Sequence, residues 1–298
     1  MPYKTDFAFI GLGRMGYRMA ANLRRALPAS TTLYVNDLNS AACEKFKREV
    51  GEHGPVEIAP TAMDAASNAS TVFSIVTASA HVRSVYLDEE TGVVNAPPDP
   101  DRLMLECSTI DLGTTREVQA AIAEAGVGVF LDAPVSGGIQ RAADGTLAFL
   151  IGHPAPPSDY SSSPTPLQSR IQAAISPMAD PDRLIFCGGF SAGLASKIAN
   201  NYLACSNMAV LAEAFAMGMA AGVNRQVLFE CFRKSSGYSW AVDYAQPVPQ
   251  LVPGPASNGY AVSFLMPMIL KDMDLGIGMA GDAGTPTGIG AAVRKVFE

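Results

Sequence analysis

Near its start the chain runs from Phe7-Ala8-Phe9-Ile10 straight into Gly11-Leu12-Gly13-Arg14-Met15-Gly16 and then into a helical stretch. An apolar strand, three glycines in G-x-G-x-x-G spacing and a helix constrain the fold more than any other segment. Gly11 allows the tight turn, Gly13 lets a pyrophosphate approach the backbone, and Gly16 lets helix and strand pack closely. The helix N-terminus offers its free N–H groups to the phosphates. Residues 11–16, with Leu12, Arg14 and Met15 between the glycines, therefore form a candidate dinucleotide loop. Asp37 ends the second apolar run, 21 residues after Gly16. There, beside Asn36, it can accept hydrogen bonds from both adenosine ribose hydroxyls and repel a 2′-phosphate. Leu38 and Asn39 supply no arginine for such a phosphate, so NAD is favoured over NADP. The competing role for Asp37 is a helix N-cap, for which Ser40 is the better candidate.

The first 190 residues alternate short apolar runs with helical stretches, the pattern of a parallel sheet covered by crossover helices. Strands are expected at 6–10, 32–37, 56–59, 71–76, 102–107, 128–132, 147–151 and 184–187. Residues 153–170 hold five prolines and five serines, a composition that suits an exposed loop insertion. From residue 191 the pattern turns to long helices. The stretch 191–221 carries only Lys197 and Glu213 as charged side chains, so it is expected to be buried nearly all round, as the central rod of a second, helical domain or of an interface. Asn224 should cap a short amphipathic helix near 225–234, and another helix should start at Pro267.

Composition narrows the function classes. Only 16% of the 298 residues are charged, and 21 Lys+Arg against 28 Asp+Glu leave −7, so no basic patch exists for nucleic acid. No run of about 18 consecutive apolar residues argues for a membrane span. The five cysteines and three histidines are scattered without metal-ligand spacing, so reduced thiols and no metal are expected. The start leaves no room for an Arg-rich presequence before the first strand.

Several polar residues fall where the carboxyl ends of parallel strands open onto a ligand. Val76-Thr77 follows the fourth strand and Ser108-Thr109 the fifth; their hydroxyls can meet a cofactor or a substrate carboxylate, or cap the next helix. After the sixth strand comes Asp132-Ala133-Pro134-Val135-Ser136-Gly137-Gly138, whose Ser-Gly-Gly exposes N–H groups to an anion. Lys197 sits near the start of the apolar helix, with Gly193 one turn before it and Asn201 one turn after, so that one face offers space, an amine and an amide. Desolvation there disfavours the charged amine and suits it to proton transfer; snorkelling to water is the plainer role. Lys271 with Asp272 and Asp274 fits a site or an i,i+3 ion pair on a solvated face equally well.

In order along the chain, GLGRMG, ECSTID (106–111), DAPVSGG (132–138) with GTLAFLIG (145–152), GLASKIANN (193–201) and LKDMDL (270–275) resemble the successive motifs of the β-hydroxyacid dehydrogenase family. SSGYSW (235–240), PVP (247–249) and PASNGY (255–260) are similar to its 3-hydroxyisobutyrate branch in particular. The resemblance implies an α/β Rossmann-type N-terminal domain (1–190), a long interdomain helix and an all-α C-terminal domain (191–298), assembled as a homodimer or homotetramer. It implies NAD-dependent, reversible oxidation of 3-hydroxyisobutyrate to methylmalonate semialdehyde in valine breakdown, and points to mitochondria, with the cytoplasm as the alternative. On it, Gly11, Gly13, Gly16, Asp37 and Thr109 hold the cofactor, and Lys271 lies near nicotinamide and substrate. Ser136, Gly137 and Asn201 hold the substrate, joined by Ser108, Gly138 and Trp240, and Lys197 is catalytic. Thr77 stands where relatives often have proline, and relatives are expected to continue about two helical turns beyond Glu298. Other semialdehydes (tartronate, succinic) and a non-catalytic cofactor-binding module are the competing readings; a 6-phosphogluconate enzyme is disfavoured for want of a basic cluster.

Overall fold

A computed structural model describes residues 5–156, 163–260 and 264–298. The first strands are short, and the inner ones are apolar because they are covered on both faces. They are β1 (Phe7–Ile10), β2 (Leu33–Asn36), β3 (Val56–Ile58), β4 (Thr71–Ser74), β5 (Leu103–Glu106) and β6 (Val129–Asp132). All six are parallel, in the order β3-β2-β1-β4-β5-β6. The order reverses between β1 and β4, so a crevice opens at their carboxyl ends. Helices α1 (Gly16–Ala26), α2 (Ser40–Val50), α3 (Ala62–Asn68), α4 (Ser79–Leu87) and α5 (Leu112–Ala125) supply the crossovers. Phe9 and Phe73, fully buried and stacked at 5.8 Å, lie at the centre of the core.

The remaining strands leave this sheet. β7 (Val135–Ser136), α6 (Gly138–Asp144), β8 (Leu147–Ile151), α7 (Pro166–Ile175) and β9 (Ala179–Phe186) follow, with β7-β8-β9 forming a separate three-stranded sheet. The expectation of one parallel sheet is corrected here: β7 pairs antiparallel to β8. Two residues of β7 are too few to show an alternating pattern, and β9 begins five residues before the expected 184 because its exposed Asp-Pro-Asp start hides its period. The loop reading of 153–170 is also shortened. Thr165 and Gln168 form a reciprocal capping box that starts α7 at Pro166, and the part of that reading on 157–162 lies outside the described residues.

Two compact units divide between Lys197 and Ile198, within α8 (Ala192–Ala220). The second unit holds the rest of α8 with α9 (Arg225–Lys234), α10 (Trp240–Tyr244), α11 (Met266–Asp282) and α12 (Gly288–Phe297). Asn224 caps α9, accepting from the Gln226 N–H at 2.8 Å. One flank of α8 joins α11 and α12 through Cys205, Ala209, Ile269, Met273 and Val293. Tyr202 of α8 lies so close to Gly276 and Gly290 that a Cβ at either would fall within 2.8 Å of its ring. Burial nearly all round does not hold within one chain: Leu203, Val210 and Met217 are 60%, 55% and 71% exposed. By length and composition alone α8 would also suffice to cross a bilayer, a test that core helices pass too.

At the amino ends of the strands, buried arginines collect backbone carbonyls. Arg102, 1% exposed, donates to the carbonyls of Ala69, Pro97 and Val127. Arg24 serves those of Leu27, Pro28, Thr31 and Pro55 in the same way. Replacing Arg102 with Leu leaves the buried carbonyls of Ala69 and Val127, and the part-buried one of Pro97, without this donor and is expected to cost roughly 2–4 kcal/mol. A fall in the urea unfolding midpoint checks this.

Candidate active site

At the dinucleotide loop the three glycines meet different demands. Gly11 has φ +95°, and a Cβ there would stand 2.2 Å from the Ile75 carbonyl oxygen; one at Gly16 would stand 2.0 Å from that of Gly11. Gly13 has nothing within 4 Å of its Cβ position and is exposed. Closed packing below and open space above is the cradle a pyrophosphate requires. Asp37 does not cap α2. Its carboxylate accepts from the N–H groups of Leu12 at 2.6 Å and Asn39 at 2.8 Å, tying the end of β2 to the loop. The cap is Asn39, which accepts from the Ala42 N–H, rather than Ser40. Asn36 donates to the Ala59 carbonyl. Beside the loop a cavity of about 440 Å³ is lined by Leu12, Gly13, Arg14, Tyr17, Arg18, Ala42 and Lys45. Its three cations favour an anionic occupant.

The carboxyl ends of β4, β5 and β6 carry the next residues. Val76 and Thr77 leave β4, and the Thr77 hydroxyl lies 2.8 Å from His81 Nδ1. Thr109, half-buried, follows Ser108 after β5. Ser108, expected at the substrate, is bonded to the chain itself. It is 2% exposed, and its hydroxyl accepts from the Val76 N–H at 2.8 Å, so it braces one strand end against another.

Asp132, given no role of its own by the sequence, acquires one in the structure. It is 1% exposed, and its two oxygens accept from the N–H groups of Ser191 and Leu194, each at 2.7 Å. A carboxylate from the end of β6 thus caps α8 from a distance of about 60 residues, matching its charge to the positive helix end. Burial raises its pKa while these N–H groups lower it, leaving a net upward shift. Glycines make the approach possible: a Cβ at Gly152 would stand 1.9 Å from Asp132 Oδ1, and one at Gly193 2.3 Å from the Leu150 carbonyl. The open space expected at Gly193 is therefore filled by β8 and the carboxylate. The cap fixes the start of α8, and Lys197 follows on its first turns, 7% exposed. The neighbouring Ser136, Gly137 and Gly138 run from β7 into α6, with φ +142° and +73° at the two glycines.

In the second unit the structure gathers Asn201 and Lys271 around one acid. Asp272 is 3% exposed; its Oδ2 accepts from Asn201 Nδ2 at 2.7 Å, and its Oδ1 pairs with Lys271 Nζ at 2.9 Å. The solvated i,i+3 pair does not form, because Asp274 pairs with Arg294 instead. Asp272 shares the buried stripe of α11 with Ile269, Met273 and Gly276, a helical spacing that could have revealed it. Trp240 opens α10, half-exposed and stacked on Tyr244 at 5.8 Å.

A family model described as the NAD binding domain of 6-phosphogluconate dehydrogenase matches residues 6–166, and one described as NAD-binding of NADP-dependent 3-hydroxyisobutyrate dehydrogenase matches 191–298. A 3-hydroxyisobutyrate dehydrogenase of Pseudomonas aeruginosa is 38% identical, the alignment covering 98% of this chain and 91% of that one. The chain belongs to the 3-hydroxyisobutyrate dehydrogenase family. It is an NAD-dependent dehydrogenase of β-hydroxy acids. A second P. aeruginosa relative, an NAD-dependent L-serine dehydrogenase, is 35% identical over 98% of this chain and 91% of its own. The solved structure of Mycobacterium tuberculosis 3-hydroxyisobutyrate dehydrogenase with L-serine matches at a TM-score of 0.83 and 32% identity, covering 99% of this chain and 93% of that one.

The remote cap makes a direct prediction. Asp132→Asn can accept only one of the two N–H groups well, because its amide nitrogen faces the other donor. A loss of about 2 kcal/mol of stability is expected. Turnover should fall further than stability explains, measured by unfolding and steady-state kinetics on the same preparation.

Proposed function

We propose that this enzyme oxidises 3-hydroxyisobutyrate to methylmalonate semialdehyde, with Lys197 as the general base. The observation that carries the reading is the buried amine of Lys197 on a helix whose start is fixed by Asp132. A base must be held in place before its basicity matters. Lys197 takes the proton of the substrate hydroxyl, and in the reverse direction returns it to the carbonyl oxygen. Asn201, one turn along the same helix, polarises that oxygen. Asp272 orients the Asn201 amide and Lys271 together, so that neither rotates freely. N–H groups of Ser136, Gly137 and Gly138 hold the substrate carboxylate, and Trp240 offers an aromatic surface on the substrate side.

When bound, NAD supplies the hydride acceptor at its nicotinamide ring. The loop 11–16 and Asp37 hold its phosphates and adenosine ribose, while Val76, Thr77 and Thr109 line its path. The carboxylate of Asp37 disfavours a 2′-phosphate, which supports NAD over NADP.

L-serine, also a β-hydroxy acid, is the second reading, favoured by the 35% identity to an L-serine dehydrogenase. A homo-oligomer would cover the exposed Leu203, Val210 and Met217 of α8, which supports assembly from copies of this chain.

Lys197→Ala is expected to lose at least about 1,000-fold in kcat while NAD binding stays within a factor of about two. Comparison of kcat/KM for 3-hydroxyisobutyrate, L-serine and the tartronate and succinic semialdehyde pairs tests the substrate. A clear preference for any of the others overturns the first reading.

A further inference from the structure

Glu106 ends β5 at 2% exposure, and neither binding nor proton transfer at the substrate uses it. Register places Ser74 of β4 and Asp132 of β6 beside it, on the same face of the sheet because paired residues of parallel strands point the same way. Its Oε1 accepts from the Ser108 N–H at 2.7 Å, and its Oε2 is hydrogen-bonded to the Ser74 hydroxyl. Ser74 Oγ is in turn 2.7 Å from the Tyr86 hydroxyl of α4. The circuit closes where Ser108 Oγ accepts from the Val76 N–H at 2.8 Å. One carboxyl group thereby ties segment 74–76 to segment 106–108, the two turns that leave the sheet beside its β1–β4 crevice.

We propose that Glu106 is a positioning residue of the dinucleotide site: as a carboxylate it holds the β4 and β5 exit turns in the shape that receives NAD, and protonation loosens that hold. This rests on the reading that Val76, Thr77 and Thr109 line the cofactor's path.

Hydrogen-bond polarity supports the ionised form as the holding state. A carboxylate only accepts, so the Ser108 N–H and the Ser74 hydroxyl both donate to it, and Tyr86 donates to Ser74. All three donors then have acceptors. A protonated Glu106 donates its Oε2 proton to Ser74, which then no longer donates to Glu106, so one hydroxyl proton of the Ser74–Tyr86 pair is left without its acceptor. Burial pushes the Glu106 carboxyl up to about 7, against the lowering effect of its Ser108 and Ser74 donors. Among the described residues, the titratable groups around it are Tyr86 from α4, Cys107, which follows it in the chain, and Asp132 of β6, none of them a cation.

The sign of the linkage separates positioning from plain stability. With the folded pKa raised above the unfolded one, the Glu106 contribution to folding is fully present at low pH and is lost as pH rises through about 7. NAD binding should move the opposite way. Calorimetric titration of NAD into the wild-type enzyme at pH 6 and pH 8 is expected to show about tenfold tighter binding at pH 8. Urea unfolding of the free enzyme should show greater stability at pH 6 after comparison with Glu106→Gln. That variant, which mimics the protonated acid, should bind NAD weakly at both pH values, and Glu106→Asp should recover part of the affinity and of the pH dependence.

Wild-type affinity in Glu106→Gln at pH 8 overturns the proposal. So does a wild-type pH profile that survives in Glu106→Gln, because it then belongs to another group. If Glu106→Gln does not fold, the wild-type enzyme alone decides: equal NAD affinity at pH 6 and pH 8 overturns the proposal. A wild-type enzyme that binds no NAD at either pH overturns the cofactor reading beneath it, and is distinguished from the other failures by the wild-type titration itself.

Discussion

The two hydrogen bonds from Ser191 and Leu194 to the Asp132 carboxylate organise more of this molecule than any other contact. They join the last strand of the parallel sheet to the first turn of a 29-residue helix, and Lys197 takes its position from that start. Burying a carboxylate is expensive unless donors surround it. Here the cost is offset by N–H groups that any helix leaves unsatisfied at its start. Glycines at 152 and 193 are required because no side chain fits between the carboxylate and its surroundings.

Charge is arranged along the strand direction throughout the first unit. At the amino ends, Arg24, Arg102 and Arg170 satisfy loop carbonyls. At the carboxyl ends, Asp37, Glu106 and Asp132 satisfy N–H groups. In a chain with only 16% charged residues, a substantial share of the buried charge thus serves the backbone. The second unit repeats the device with Asp272, whose partners are side chains rather than backbone.

Much of the site was legible because its parts are local. The glycine loop, Asp37 and the Ser-Gly-Gly turn are each encoded within a few consecutive residues, where backbone geometry and side-chain chemistry coincide. Their bonding partners were less legible. Asp37 grips Leu12, Ser108 braces Val76, and Asn39 rather than Ser40 caps α2, and each choice depends on how neighbouring turns approach. The apolar composition of 191–221 marked a helix that needs covering, yet within one chain its outer flank stays exposed. Composition reports that apolar surface exists and says nothing of which molecule covers it.

By itself the sequence determined the alternation of strand and helix, the dinucleotide loop, the change to helices after residue 190 and the candidate amine at Lys197, because each follows from residue type at short spacing. Tertiary structure alone decided that the last three strands form their own sheet, that Asp132 caps a helix about 60 residues away, and that Asp272 rather than Asp274 receives Lys271. Those outcomes depend on which distant groups burial brings together, and burial is a property of the packed chain.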